Sequence, residues 1–325
     1  MSGSGAASAG AEAGPVEASV LAELARDAAG GLLSETWVPP SGRGTLRLLR
    51  GGATAAGEGA ETVVLLHGRG HAASIWFPCW PALAARHALL AVDLPGFGRS
   101  TPPALDGRRR PDAETALAGF VDPLEACLAS EVAAGRASGL ALVGHSLGGL
   151  VALELALRGR LPVRRLVLID AMGLGPAMTG AGRVFFRLHP ERLLRWLGPR
   201  LFARLNPSPP TPLGRRVAAL ELELLSAPAV APARALAARA FDAFCPLWGP
   251  VFHRRARLRD VTAPVLLLWG ARDAALPADN AASARAELPA ARSLILSQGH
   301  SPHLDAPDQA VPPMLDFLAA GARGG

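Results

Sequence analysis

Apolar residues in this 325-residue chain fall into short dense runs separated by polar and glycine-rich turns. Thr62 to Leu66, Ala88 to Val92, Leu140 to Val143, Arg165 to Ile169, Val265 to Trp269 and Ser293 to Leu296 have strand length, and most are apolar without alternation. Continuous apolar runs of that length indicate strands buried on both faces. Between them lie segments of helical periodicity, at Ile75 to Arg86, Thr115 to Ala133, from Leu150 onward and at Ala278 to Leu288, with Pro313 to Ala320 closing the chain. Strand and helix alternating with short turns predict an α/β fold, a doubly wound, mostly parallel sheet covered on both faces. Two weaker strands, Glu35 to Val38 and Thr45 to Arg50, flank Pro39-Pro40-Ser41-Gly42 and read as an edge hairpin.

The alternation stops between about Gly173 and Arg259. Only helical patterns occur there, such as Val184 to Leu188, Leu193 to Leu205 and Val217 to Leu225, broken by Pro207, Pro209, Pro210, Pro212, Pro228 and Pro232. The expected organisation is a poorly ordered Ala, Gly and Ser rich extension over 1–30, an α/β core over 31–172 and 260–325, and a helical insertion over 173–259 after the sixth strand.

A hydrophobic content of 50% supports a buried core for this organisation. The net charge of +6 and a pI near 10.8 would ordinarily raise nucleic acid or an anionic membrane as partners. All 33 basic residues are arginine, however, and the two densest clusters, Arg108 to Arg110 and Arg254 to Arg259, are short and lack interleaved aromatics. They read as a solvated basic face, so no nucleic-acid partner is expected. No run approaches the roughly 18 apolar residues of a membrane span, and Met1 to Gly14 has neither a basic start nor an apolar segment, which points to a cytoplasmic protein without stable membrane insertion. Cys79, Cys127 and Cys245 are far apart and odd in number, as buried or idle thiols would be.

In an open α/β sheet, ligands bind beyond the carboxyl ends of the strands. Five strand ends here carry polar residues: His67-Gly68-Arg69-Gly70, Asp93, Ser146, Asp273 and Gly299-His300. Ser146 lies in Gly144-His145-Ser146-Leu147-Gly148, a Gly-x-Ser-x-Gly pentapeptide between a strand and a helix, the pattern of a sharp turn that projects a serine hydroxyl. Asp273 follows 127 residues later and His300 a further 27, giving the order Ser, Asp, His. A serine hydroxyl is a poor nucleophile at neutral pH. An imidazole must take its proton, and a carboxylate must fix the tautomer of that imidazole and stabilise its charged form. The attacked carbonyl oxygen needs backbone N–H donors. Leu147 N–H at the start of the helix is one, and Arg69 N–H, between two glycines, is the expected second.

These residues resemble the α/β-hydrolase superfamily, in its branch with a helical cap. The resemblance rests on Leu65-Leu66-His67-Gly68-Arg69-Gly70, Asp93-Leu94-Pro95-Gly96-Phe97-Gly98-Arg99-Ser100, Gly144-His145-Ser146-Leu147-Gly148-Gly149, Ala263 to Asp273 and Gly299-His300-Ser301-Pro302-His303, in that order over residues 45–320. It implies Ser146 as nucleophile, Asp273 as acid, His300 as base and residues of about 173–259 as the cap. It excludes haloalkane dehalogenases and epoxide hydrolases of this branch, which place an aspartate where Ser146 stands.

Competing assignments remain beside these. Asp170, ending the strand before the insertion, is a second candidate acid, and His303 a second candidate base. His67 and His145 read as hydrogen-bonded turn residues, and Asp93 as the tie of its own loop. His71, His87, His189 and His253 lack metal-ligand spacing, so no metal and no cofactor is expected. Arg69 departs from the apolar side chain usual beside an oxyanion hole and is expected to steer acidic or oxygen-rich substrates to the mouth. The stripe Phe185 to Leu205 is expected to pack the cap on the core and line an apolar pocket, docking on a membrane surface being the alternative.

The expected function is a cofactor-independent serine hydrolase cleaving a carboxylic ester or related acyl bond of a small, partly apolar molecule. A carbon–carbon bond hydrolase is an alternative on the same fold, although that branch usually shows a tryptophan after the base where this chain has Ser301. An acyltransferase and a haloperoxidase-like enzyme are others, and a non-catalytic binding protein is the alternative from another class.

Overall fold

The computed structural model describes residues 15–27, 32–39, 44–52, 61–105, 109–188, 209–226 and 231–320. Eight strands form one sheet in the order β1-β2-β4-β3-β5-β6-β7-β8. They are β1 Leu32–Trp37, β2 Leu46–Gly52, β3 Glu61–Leu66, β4 Ala88–Val92, β5 Gly139–His145, β6 Val163–Ile169, β7 Val265–Gly270 and β8 Arg292–Leu296. β1 and β2 form the antiparallel edge, and every pair from β4 through β8 is parallel. The uninterrupted apolar runs are the central strands, as two-sided burial requires: every residue of β5 and β7 is buried.

Alternate side chains of these strands feed two apolar layers. One holds Leu142, Leu168 and Trp269 with the helices Ala113–Ala133 and Leu147–Arg158; the other holds Val143, Leu268, Trp76, Trp80 and the C-terminal helix Pro307–Ala319. Helix α1 is Pro15–Asp27, α2 Trp80–Ala84, α3 Ala113–Ala133 and α4 Leu147–Arg158. Asp112 caps α3 by accepting from Thr115 N at 2.8 Å. The helix predicted over 75–86 is instead a 3₁₀ turn, Ala73–Trp76, followed by the five-residue α2, because Pro78 and Pro81 cannot donate to a continuous ladder.

Between β6 and β7 the chain is helical, with α5 Gly180–Arg187, α6 Pro212–Ser226 and α7 Ala231–Phe241. The helix expected over Leu193 to Leu205 lies outside the described residues, as do His189 and Arg108. The two ends of this insertion meet: Gly173 bridges His253, and Arg254 N donates to Gly173 O at 2.7 Å. Arg254 also pairs with Glu154 of α4 at 2.8 Å and Glu114 of α3 at 2.6 Å. Within the basic cluster 254–259, Arg257 meets Asp260 and Arg259 meets Glu287, while the side chains of Arg255, Arg257 and Arg259 stay substantially exposed to solvent. Among the described residues, no helix is long and apolar enough to cross a membrane.

The N-terminal region differs from expectation. Residues 15–27, read as part of a poorly ordered extension, form α1, while 1–14 and 28–30 lie outside the described residues. Its Val20 and Leu24 are buried in the layer that also holds Val217 and Leu220 of α6. Glu17 is 1% exposed and receives Arg47 at 2.6 Å and Arg99 Nε at 2.9 Å, while Glu23 pairs with Arg216 of α6. The helical pattern near Val20 to Ala25 belongs to an amphipathic helix whose polar side carries the partner of a buried arginine. Arg47 has Asp93 as its other acidic neighbour, at 3.5 Å. Glu17→Ala is therefore expected to cost about 3 to 5 kcal/mol, the usual penalty for leaving a buried charge short of its partner. Urea unfolding of the variant against the parent measures it, and a loss below about 1 kcal/mol would contradict the burial assigned to this pair.

Candidate active site

The turn from β5 into α4 is built by what its glycines lack. A Cβ at Gly144 would lie 2.4 Å from Gly148 O, and one at Gly148 would lie 2.2 Å from Leu66 O. No side chain fits at either contact, so the helix can close onto the strand only as the sequence has it. Ser146 between them takes φ +52°, one of two non-glycine residues among those described with positive φ, the other being Asp170. Four backbone hydrogen bonds hold it there: its N–H donates to Ile169 O at 3.0 Å, and its carbonyl accepts from Gly149 N and Met172 N at 3.0 Å and from Leu150 N at 3.3 Å.

The three residues in the order Ser, Asp, His come together. His300 Nδ1 lies 2.7 Å from Asp273 Oδ2, and His300 Nε2 lies 3.1 Å from Ser146 Oγ. The carboxylate can only accept, so Nδ1 carries the proton and Nε2 is left to receive the serine O–H. Asp273 is itself fixed, its Oδ1 accepting from Ala275 N at 2.7 Å and Leu276 N at 2.9 Å. Asp170 lies beside Asp273 and accepts from Gly270 N at 2.8 Å. His303 is buried between the rings of Trp76 and His145, each at 4.6 Å, and stands off Ser146.

His67 and His145 have turn-holding partners. His67 donates from Nδ1 to Gly68 O at 2.7 Å and accepts Leu94 N on Nε2 at 2.9 Å, which uses both nitrogens. His145 donates from Nε2 to the carbonyl of His300 at 2.7 Å, so the residue before the serine anchors the loop that carries the imidazole. That link joins the end of β5 to the loop after β8, and sequence spacing offers no signal for it. Asp93 accepts from Ala73 N at 2.7 Å and Arg99 N at 2.9 Å, tying two loops together.

The loop 67–70 runs against the serine, since a Cβ on Gly68 would approach Ser146 Cβ to 3.1 Å. Leu147 N–H opens α4 and has no acceptor within its own helix. The Arg69 side chain lines the cavity at Ser146 and also packs against the insertion. It is buried with its guanidinium 5.5 Å from the ring centroid of Phe186 and 5.1 Å from that of Phe241, holding the insertion to the core. A guanidinium is weakly hydrated and favours aromatic faces, which explains the burial.

A cavity of about 350 Å³ opens at Ser146 and His300, lined further by Arg69, His71, Phe185 and Phe186. Helix α5 supplies that wall: Phe186 packs on Phe241 at 5.0 Å, while Val184, Phe185 and Leu188 remain substantially exposed. Arg183 fastens the helix to the following turn, donating to Pro246 O and Gly249 O at 2.6 Å each. Burial pushes the thiols of Cys79, Cys127 and Cys245 up to about 12, so all three are neutral near pH 7.

Comparison with known proteins accords with this architecture. The sequence profile of the family described as "Alpha/beta hydrolase family" matches residues 63–312. The chain is 31% identical over 81% of its length to the dihydrolipoyllysine-residue acetyltransferase component of the acetoin cleaving system of Pseudomonas putida, of whose longer sequence the match spans 64%. Among solved structures, a membrane phospholipase A described as a bacterial virulence factor superposes with a TM-score of 0.71 at 26% identity, covering 94% of this chain and 91% of that one. A carboxylesterase of Bacillus subtilis superposes with a TM-score of 0.62 at 20% identity, covering 94% and 97%, a likeness of fold.

The histidines behind the serine make stability depend on pH. Burial drives His145 well below the ordinary value of 6.5 and His303 to about 3, so the folded protein keeps both neutral where the unfolded chain would protonate them. Below about pH 6.5 the unfolded state binds more protons, and stability falls as pH falls, by up to about 1.4 kcal/mol per pH unit for each histidine. Urea unfolding between pH 4 and 8 should show His303→Phe losing stability less steeply than wild type as pH falls, the difference reaching up to about 1.4 kcal/mol per pH unit. An unchanged slope in the variant would remove His303 from the account.

Proposed function

Because the chain belongs to the alpha/beta hydrolase family, we propose that it is a serine hydrolase, cleaving a carboxylic ester or related acyl bond of a small, partly apolar molecule. The observation that carries this reading is the unbroken hydrogen-bonded chain from Asp273 through His300 to Ser146, with the serine held at positive φ. A binding protein has no use for a strained serine on a buried acid–base relay.

The geometry supports the following course. His300 Nε2 takes the Ser146 proton as Oγ attacks the acyl carbonyl, and Asp273 holds the imidazolium formed. The oxyanion sits between the backbone N–H groups of Leu147 and Arg69, each such donor contributing roughly 3 kcal/mol to the transition state. His300 then gives its proton to the leaving alcohol, which leaves an acyl group on Ser146. Water, deprotonated by the same imidazole, attacks the acyl-enzyme and releases the acid. The scheme draws only on side chains, backbone and water. The insertion over 173–259 acts as a cap that selects the acyl group, its Phe185 and Phe186 supplying an apolar wall to the cavity. Acyl transfer is the second reading, favoured by the acetyltransferase relative: another nucleophile would replace water in the last step.

A fluorophosphonate probe should label the wild-type chain and leave Ser146→Ala unlabelled. With p-nitrophenyl esters of graded chain length, Ser146→Ala should lose at least about 10⁴-fold in kcat, and Asp273→Asn about as much, because the amide turns His300 to the wrong tautomer. A folded wild type that resists the probe and hydrolyses no ester would refute the hydrolase reading. Adding a competing alcohol or thiol and measuring ester formation against acid release separates transfer from hydrolysis.

A further inference from the structure

Asp170 is unused by this scheme, and its surroundings are unusual. It ends β6 at φ +42°, is fully buried, and donates its N–H to Leu268 O of the neighbouring strand at 3.0 Å. Its carboxyl stands beside that of Asp273: single ligand atoms of Asp170, Asp273 and His300 all lie within 4.8 Å of one another. Oδ1 accepts from Gly270 N at 2.8 Å, whereas Oδ2 is buried with no donor facing it among the described residues. Its neighbours that titrate are Asp273, His300 and, further off, Asp305.

Two carboxylates at this separation in a dry site cannot both be charged. Asp273 has the stronger claim to the negative charge, because it accepts two backbone N–H groups and the imidazole N–H, against one backbone N–H for Asp170. Burial first, and the Asp273 charge second, raise Asp170 well above the ordinary carboxylate range. An oxygen without a donor is then no defect, since the oxygen of a carboxylic acid carries its own proton and needs an acceptor.

Resting on the hydrolase reading of Ser146, His300 and Asp273, we propose that Asp170 is a positioning residue: a neutral carboxylic acid that donates a hydrogen bond to the Asp273 carboxylate, so that the pair carries a single negative charge. The donated bond clamps Asp273 from the side opposite His300 and draws charge away from it. It sets how strongly the carboxylate holds the imidazolium, and so tunes the basicity of His300. Residues flanking the entire insertion thereby meet in one pair, Asp170 preceding it and Asp273 following the strand that closes it. A divalent cation held by the same three side chains is the competing occupant. It would need both carboxyls ionised and would have to displace the His300 proton bound to Asp273.

The test compares Asp170→Asn and Asp170→Ala in the full chain. Asparagine keeps an acceptor for Gly270 N and a donor toward Asp273 but cannot ionise. It should hold kcat/KM within a few-fold of wild type with an unchanged acid limb in the pH profile. Alanine removes the clamp and should lower kcat by about 10- to 100-fold with little change in KM, and move that limb. Infrared spectroscopy at neutral pH supplies a readout independent of activity: wild type should show the carbonyl band of a buried protonated carboxylic acid, and Asp170→Asn should lack it. The proposal is overturned if wild type shows no such band, if asparagine is as damaging as alanine, or if alanine is as active as wild type. It is equally overturned if a chelator abolishes activity that a divalent cation restores. Should wild type prove inactive on every ester while the band is present, the protonated pair stands and the hydrolase reading is what fails. Should alanine fail to fold, the band and the asparagine variant still decide.

Discussion

The arrangement depends on a contact made without side chains. Where α4 folds back on β5, backbone meets backbone at Gly144, Gly148 and the end of β3, at distances that leave no volume for a single extra carbon. Close packing elsewhere in a protein tolerates some repacking, but this contact has no side chain to move. The strained serine is the product of that fit. Its φ of +52° is held by hydrogen bonds to β6 and from the first turn of its own helix, so the backbone at the serine cannot relax without breaking them.

Around this point the molecule places polar groups at depth and ties several of them to loop backbone. His67 spends both nitrogens on loop backbone, and His145 spends one on the carbonyl of His300. Arg47 and Arg99 converge on Glu17, which brings the N-terminal helix into the support of the loop that follows β4. Arg69 reaches the opposite way, from the loop after β3 to two phenylalanines of the insertion. The sheet edge that carries the chemistry is thus braced by cations on both sides, and arginine suits that role because it stays charged and pairs through planar geometry.

How much of this the sequence disclosed follows from the range of the interactions. The strands were legible because burial on both faces writes an uninterrupted apolar run, and the turn at Ser146 because backbone contact writes glycine. The strand-end residues Asp273 and His300 were legible because an open parallel sheet gathers such ends along one edge. Less local features left no trace. That His145 holds the His300 carbonyl, or that Glu17 receives Arg47, requires knowing which loops meet. The burial of Arg69 beneath Phe186 and Phe241 depends on how the insertion sits, which helical periodicity does not encode. Asp170 and Asp273 are neighbours because β6 pairs with β7 across 95 intervening residues, a pairing read from topology and not from spacing.

That same pairing bears on how such a protein can change. The segment between β6 and β7 leaves and rejoins the sheet on adjacent strands, and its ends are fastened again by the Gly173 and His253 bridge and by Arg254. The entropy of closing a loop rises only with the logarithm of its length, about 0.6 kcal/mol per doubling. Changing the length of the connections within that segment therefore costs the sheet little in closure entropy, while the strand-end residues stay in place. The stretch of chain that lines the cavity at Ser146 is thus free to vary in length where the strand ends are not.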